Sequence, residues 1–276
     1  MTSLKTYRVE AFVLRLRPLG EADRALTLFS RERGKLHAVA KGARKTHSKF
    51  AGRLDFFRHA LLTLHSGRSL DVVTGVSSLA GAQRAAAVWR HFVQPEVFAL
   101  TSYVAEVTDA LSEPDLAVPD LFALLCELEG AIAAGVSVGA LGPAVDLRLL
   151  GAFGLSPELD ACARCGTALG ERPLAGGRAT LSPASGGLVC RRCAIEERDG
   201  TGRERIQGSS LHASATELRA LRAMRTMTLA DVAAHAELAG LRRITRAFVE
   251  YHLGRRSKSL SVDDARSRRR AASAAR

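Results

Sequence analysis

The chain has 276 residues, 47% of them hydrophobic and 25% charged. That composition excludes a disordered or fibrous protein and leaves room for one large domain or two to three small ones. Forty Lys and Arg against 28 Asp and Glu give a formal charge of +12, an excess that in a folded chain points to a polyanionic partner.

The start, MTSLKTYRVE, has no apolar run behind its charges, so a secretory signal is not expected. The longest uncharged stretch, residues 130–145, contains Pro143 and four glycines and is shorter than the roughly 18 residues a membrane span needs. The expectation is a soluble cytoplasmic protein with no membrane partner. Charge is segregated along the chain: residues 1–80 carry a net +9, 81–160 a net −8, 161–210 a net +3 and 211–276 a net +8. Two basic regions flanking an acidic one suggest a polyanion-binding module, a spacer or protein-docking module, and a second basic surface.

In chain order, the first block reads as five short strands: RVEAFVLRLRPL, RALTLFSRERG, KLHAVAKGA, ALLTLHSG and LDVVTGVSSL, separated by turn signals at Pro18 to Gly20, Gly34, Gly42 and Gly67. The first is apolar on both faces, with Val9, Ala11 and Val13 against Phe12, Leu14 and Leu16 and with Glu10 interrupting, as expected of a strand covered on both sides. KFAGRLDFF falls between strands three and four, where the five-stranded OB barrel carries a helix or a long connection. The pattern predicts an OB-fold, with a small SH3-like barrel as the rival. From about Gly81 the period turns helical. AAAVWRHFVQPEVFALTSYVAEVTDAL spaces Val88, Phe92, Phe98, Tyr103 and Val107 at helical steps; PDLFALLCELEGAI aligns Leu121, Leu124, Leu125, Leu128 and Ile132; LGPAVDLRLLGAFG aligns Val145, Leu149 and Phe153. Cys126 lies on the second stripe and reads as a small buried hydrophobe. Beyond the cysteine segment, SATELRALRAMRTM and AGLRRITRAFVEYHLGRR return to helix, the latter with Leu241, Ile244, Phe248 and Tyr251 on one face. The last residues, DDARSRRRAASAAR, hold nothing apolar larger than alanine and are expected to be disordered. The resulting division is a barrel at 1–80, a helical domain at 81–158, a cysteine module at 159–207, C-terminal helices packing on the helical domain at 208–258 and a basic tail at 259–276: an α+β multidomain protein.

The segment CARCG at 162–166 is answered by CRRC at 190–193, and the chain has only one other cysteine. Two CxxC pairs 24 residues apart fit a four-thiolate zinc site formed by Cys162, Cys165, Cys190 and Cys193. A thioredoxin-like redox pair would use one CxxC, and cytoplasmic disulfides are uncommon. A catalytic zinc needs an open position and usually His or carboxylate ligands, whereas the intervening residues contain neither His nor Asp; the expected metal is one structural Zn2+ closing a zinc-ribbon-like module.

The segment GKLHAVAKGARKTHSKFAGR carries Lys35, Lys41, Arg44, Lys45, Lys49 and Arg53 with no acidic residue among them. With Gly42 and Gly52 it reads as a flexible basic loop leaving a strand, suited to backbone phosphates, and Arg15, Arg17 and Arg24 around the first turn extend the groove. Most aromatics of this block fall where a core wants them, so binding is expected to be electrostatic and tolerant of sequence. No GxxxxGK[ST], GxSxG or HExxH motif is present, which favours a binding protein over an enzyme. Two other readings are a nucleic-acid-processing enzyme with an auxiliary zinc ribbon, and a zinc-stabilised transcription regulator using TLADVAAHAELAGLRRITRAF as a helix-turn-helix.

The stretch AFVLRLRPLGEADRALTLFSRERGKLHAVAKGARKTHSKFAGRLDFF resembles the N-terminal signature of the bacterial RecO recombination mediators, whose pattern runs through RPxGEaDr, GKlravAKGarkpkS and LqPF. DLRLLGAFGLSPELDACARCG, LSPASGGLVCRRC and YHLGRRSKSL match later blocks of that family in the same order, so the resemblance spans residues 7–261. Departures are local: LDFF stands for LqPF, and AVDLRLL for FElrLL. The resemblance implies a non-enzymatic DNA-repair and recombination protein, nucleoid-associated, with an N-terminal OB-fold, a helical region and a zinc-ribbon-like insertion. It also implies binding of single- and double-stranded DNA, strand annealing, association with RecR, and help in loading RecA onto DNA covered by single-strand DNA-binding protein. Carried over by motif, Lys35, Lys41, Arg44, Lys45 and Lys49 are DNA contacts, and Cys162, Cys165, Cys190 and Cys193 are zinc ligands.

Overall fold

The computed structural model describes residues 5–50, 52–77, 79, 90–169, 178–198 and 210–259. The chain divides into two compact units: residues 1–135 together with those from 257 onward, and residues 136–256.

The first unit is built on five strands, β1 (Thr6–Leu19), β2 (Asp23–Ser30), β3 (Gly34–Ala40), β4 (His59–His65) and β5 (Asp71–Ser77), closed into a barrel in the order β1-β2-β3-β5-β4. This is the OB-like arrangement expected from the strand pattern. Closure follows from the length of β1. Its first half pairs with β4, from Thr6 opposite His65 to Phe12 opposite His59. Its second half pairs with β2, from Ala11 opposite Ser30 to Leu19 opposite Asp23, with a bulge between Val13 and Arg15 that bends the strand from one partner to the other. The seam is the short parallel pairing of β3 with β5, Ala38 to Asp71 and Val39 to Val72.

Strand alternation sorts β1 as its two apolar faces require. Val9, Ala11 and Val13 join Leu28, Leu62 and Leu64 inside the barrel, while Phe12 on the outer face is equally buried, its ring 5.6 Å from Phe122 of helix α2 (Pro119–Ala133). Helices α1 (Pro95–Leu111) and α2 belong to this unit, and each begins with proline in its first turn, where the missing N–H costs nothing. Leu121, Leu124, Leu125, Leu128 and Ile132 of α2 are all buried, as the periodicity predicts. In α1, Tyr103 and Val107 are buried but Phe98 is exposed, because the helix restarts at Pro95 instead of running on from residues 90–92. The link between α1 and α2 lies against β3: Asp115 N–H donates to the Lys35 carbonyl at 3.0 Å, and a Cβ on Gly34 would stand 1.8 Å from the Leu116 carbonyl oxygen. Buried Glu106 of α1 receives Ser257 Oγ at 2.9 Å and the amides of Lys258 and Ser259 at 3.1 and 3.0 Å, holding the returning chain.

The second unit is centred on α3 (Leu141–Ala152), which is apolar and buried almost all round, as a helix packed on several sides must be. Against it lies α7 (Arg242–Leu253), preceded by α5 (Ala215–Met224), α6 (Leu229–Ala233) and a 3-10 turn at Ala236–Leu241. Asp146 of α3 is fully buried and accepts a 2.6 Å hydrogen bond from Thr245 of α7. Leu241, Ile244 and Phe248 face this core, whereas Tyr251 is exposed. A three-stranded sheet in the order β7-β6-β8 is formed by β6 (Arg178–Ser182), β7 (Gly187–Val189) and β8 (Leu211–Ser214), and the short α4 (Arg191–Arg198) follows β7. Ser214 and Glu217 close a capping box at the start of α5. The expected basic tail falls mostly outside the described residues, as do Val88 and residues 199–209.

Candidate nucleic-acid interface and four-cysteine centre

The β3–β4 connection leaves the barrel at Lys41 as a succession of turns tied down at both ends. Gly42 N–H donates to Asp23 Oδ1 at 2.7 Å and Arg44 N–H to the Ala22 carbonyl at 2.8 Å, fixing the connection over the β1–β2 turn. Lys45 N–H returns to Gly42 and Ser48 N–H to Lys45, while Phe50 and Leu54 are buried in the barrel core and anchor the far end. Gly42 takes φ +67°, the left-handed conformation that the tight exit from β3 requires and that glycine adopts without strain. The segment expected to be a free basic loop is thus a pinned one.

Lys41, Lys45 and Arg53 are exposed and make no ion pair among the described residues, and the same holds for Arg17 at the end of β1. Arg44 is exposed and donates Nη1 to the Gly20 carbonyl at 3.0 Å. Lys49 donates Nζ to the Thr74 carbonyl at 3.0 Å and stands over the Phe50 ring. These carbonyl contacts orient the cations without neutralising them. The other three candidates are held by carboxylates: Lys35 Nζ lies 2.7 Å from the Asp109 carbonyl and 3.8 Å from its carboxylate, Arg15 lies 3.1 Å from the same carboxylate, and Arg24 lies 3.7 Å from Asp55. Lys35 belongs to the strand, not the loop, and its side chain is only 12% exposed. Asp109, Asp115 and Glu129 of the acidic block therefore face cations or a histidine of the barrel unit.

Further along, Arg222 and Arg225 pair with Asp160, Arg243 with Glu217, and Arg246 with Glu250, so these arginines of the second basic region carry internal partners. The helix-turn-helix candidate becomes the five-residue α6, a 3-10 turn and α7, whose Ile244, Thr245, Phe248 and Val249 are buried.

The two CxxC knuckles meet. The Sγ atoms of Cys162, Cys165, Cys190 and Cys193 all lie within 4.8 Å of one another. Cys165 and Cys190 are 3.8 Å apart. That is far beyond an S–S bond of about 2.05 Å and equal to the roughly 3.8 Å edge of a tetrahedron with metal–sulfur bonds near 2.3 Å. Backbone geometry prepares the site: Gly166 N–H bonds the Cys162 carbonyl at 2.8 Å in the first knuckle, Ala163 N–H bonds Leu188 of β7 at 2.8 Å, and Cys190 N–H points at Cys162 Sγ from 3.3 Å. The Thr167 hydroxyl and amide lower the Cys165 thiol to about 6, while burial and the neighbouring sulfurs push Cys193 up to about 12. Four sulfurs crowded this closely suit a soft-ligand cation such as zinc, whose charge would favour their thiolate forms and offset the repulsion among them. The start of α4 at the second knuckle and the strand β8 carry no sequence signal comparable to the cysteine spacing.

Among the described residues no helix is long and apolar enough to cross a membrane. The family model described as recombination protein O N terminal matches residues 1–82, and that described as recombination protein O C terminal matches residues 94–261. The DNA repair protein RecO of Nocardioides sp. (strain ATCC BAA-499 / JS614) is 33% identical over 259 residues, covering 92% of this chain and 98% of that protein. That of Desulforudis audaxviator is 32% identical over 264 residues, covering 94% and 96%. That of Cutibacterium acnes is 37% identical over 196 residues, covering 69% and 75%. Matched over residues 1–82 and 94–261, which take in its barrel and its cysteine knuckles in that order, the chain belongs to the RecO family of DNA repair proteins.

Proposed function

We propose that this protein is a non-enzymatic DNA-repair mediator that holds single- and double-stranded DNA by its phosphates and anneals complementary strands. With RecR it helps load RecA onto DNA covered by single-strand DNA-binding protein. The observation that carries the reading is the pinned β3–β4 connection, which presents Lys41, Arg44, Lys45, Lys49 and Arg53 as exposed cations on one segment of an OB-like barrel, with Arg17 exposed near the end of β1. Neutralising phosphates lowers the repulsion that opposes strand pairing and requires no cofactor turnover. Lys35 and Arg15 are engaged by Asp109 of α1, and Arg24, paired with Asp55, lines a cavity together with Arg44 and can add to the phosphate-binding surface. A single structural Zn2+ on Cys162, Cys165, Cys190 and Cys193 ties the first knuckle to β7 and α4. RecR, single-strand DNA-binding protein and a nucleoid-associated cytoplasmic location enter through the family likeness alone.

The test is a strand-annealing assay over a salt series with the charge-reversed variant K41E/R44E/K45E. Annealing is expected to fall at least tenfold at moderate salt with the thermal transition unchanged; undiminished annealing would overturn this surface.

A further inference from the structure

We propose that Glu10, His59 and Cys126 form a second metal site, a three-ligand centre for a divalent transition ion of zinc's preferences, on the outer wall of the barrel beneath α2. The three come from separate elements of the same unit: Glu10 from β1, His59 from the first position of β4 and Cys126 from α2. One carboxylate oxygen, one ring nitrogen and the thiol sulfur lie within 4.8 Å of one another. In a tetrahedral zinc site neighbouring ligand atoms stand roughly 3.3 to 3.7 Å apart, so closing on an ion takes about an ångström of side-chain movement and no rearrangement of the backbone.

The histidine carries the argument. Its Nε2 lies 3.0 Å from Glu10 Oε1 and its Nδ1 lies 3.0 Å from Glu129 Oε2, one turn beyond Cys126 on α2. A neutral imidazole has one N–H and one bare nitrogen. In the tautomer that carries its N–H at Nδ1, toward Glu129, Nε2 is bare and faces Glu10 Oε1, which accepts from Arg31 Nη2 at 2.9 Å and keeps a second lone pair for a cation. A ligand histidine whose other nitrogen is hydrogen-bonded to a carboxylate is the arrangement by which proteins fix ring orientation at zinc. The ring is further held by Phe12, stacked on it at 4.1 Å, and by the edge of Phe122 at 5.7 Å. Arg31 grips Glu10 through 2.7 and 2.9 Å hydrogen bonds and so fixes the carboxylate toward the histidine. The side chains of His59, Glu10 and Glu129 are 11, 20 and 10% exposed, shielded yet within reach of solvent. Sulfur, nitrogen and oxygen from three residues leave a fourth position to water. Such an ion would fasten two barrel strands to α2, and this explains why an acidic residue interrupts the apolar outer face of β1.

The measurement is metal uptake by the full-length reduced protein, stripped and reloaded with cobalt(II) or zinc(II), followed by absorbance and elemental analysis. One equivalent should persist when Cys165 and Cys190 are changed to serine, and that equivalent should vanish when Cys126→Ala or His59→Gln is added to the same background. No uptake dependent on Cys126 and His59 overturns the site. Should either of those variants fail to fold, the cobalt spectrum of the Cys165→Ser, Cys190→Ser protein decides. A thiolate-to-cobalt band abolished by alkylation of Cys126 supports the assignment, and the absence of such a band refutes it.

Discussion

Gly34 shows how much one residue can determine. It combines φ +63° with a backbone oxygen 1.8 Å from where a side chain would begin. Gly34→Ala is therefore expected to cost at least about 2 kcal/mol in chemical denaturation, since both the strain and the displaced α1–α2 link act in the folded state. Glu217 offers a pH probe: the Ser214 amide, working against partial burial and helped by Arg243, holds its carboxyl below the usual carboxylate range. A depressed folded-state value means the stabilisation is present above the ordinary unfolded value near about 4.3 and disappears as pH falls through the lowered one. Glu217→Ala should lose about 1 kcal/mol at neutral pH and show a flatter loss of stability on acidification than the parent chain. Lys35 marks the limit of reading single residues from sequence. It belongs to the same uninterrupted basic run as Lys41, yet it occupies the second position of β3, where Asp109, 74 residues away, meets it. Nothing local announces that partner. Glu10, by contrast, left a signal, a lone acid in a stripe otherwise apolar on both sides.

Elements were legible where their period was uncontested. The five barrel strands and α2 follow from alternation and from the leucine stripe, because each buries a face that the sequence must keep apolar. Helix α1 was harder, since the apolar spacing continues through residues 92 to 98 while Pro95 removes a backbone donor and begins a new helix. The β3–β4 connection shows the same division: its charge was visible, its rigidity was not, because Asp23 and Ala22 hold it from another turn. If six cations each neutralise one phosphate of a single strand, the log–log slope of affinity against salt is about −4. Exchanging Lys41, Arg44 and Lys45 for glutamine should bring that slope to about −2 in a filter-binding titration. The Arg44 backbone amide still reaches Ala22 in that variant, so the fold should persist.

At the scale of the whole molecule, the two units answer to different stabilising devices. The barrel unit closes its sheet and buries a continuous apolar interior, whereas the cysteine module shows only a small cluster around Cys162, Val189 and Cys193, too thin to order itself without a cross-link. Chelation under reducing conditions is accordingly expected to raise hydrogen exchange in residues 158–169 and 178–198 while leaving the barrel amides protected. Loss of protection in the barrel to the same extent would contradict that separation. The return of the chain at Ser257 onto Glu106 has a consequence for folding order. Residues 136–256 are bounded at both ends by segments of the barrel unit, so once that unit has formed they are no longer a tail but a circle of about 120 residues. Joining the ends of such a circle removes on the order of 4 kcal/mol of chain entropy. A polypeptide cut short before Ser257 would have to find the structure of its second half with one end loose, and should do so more slowly.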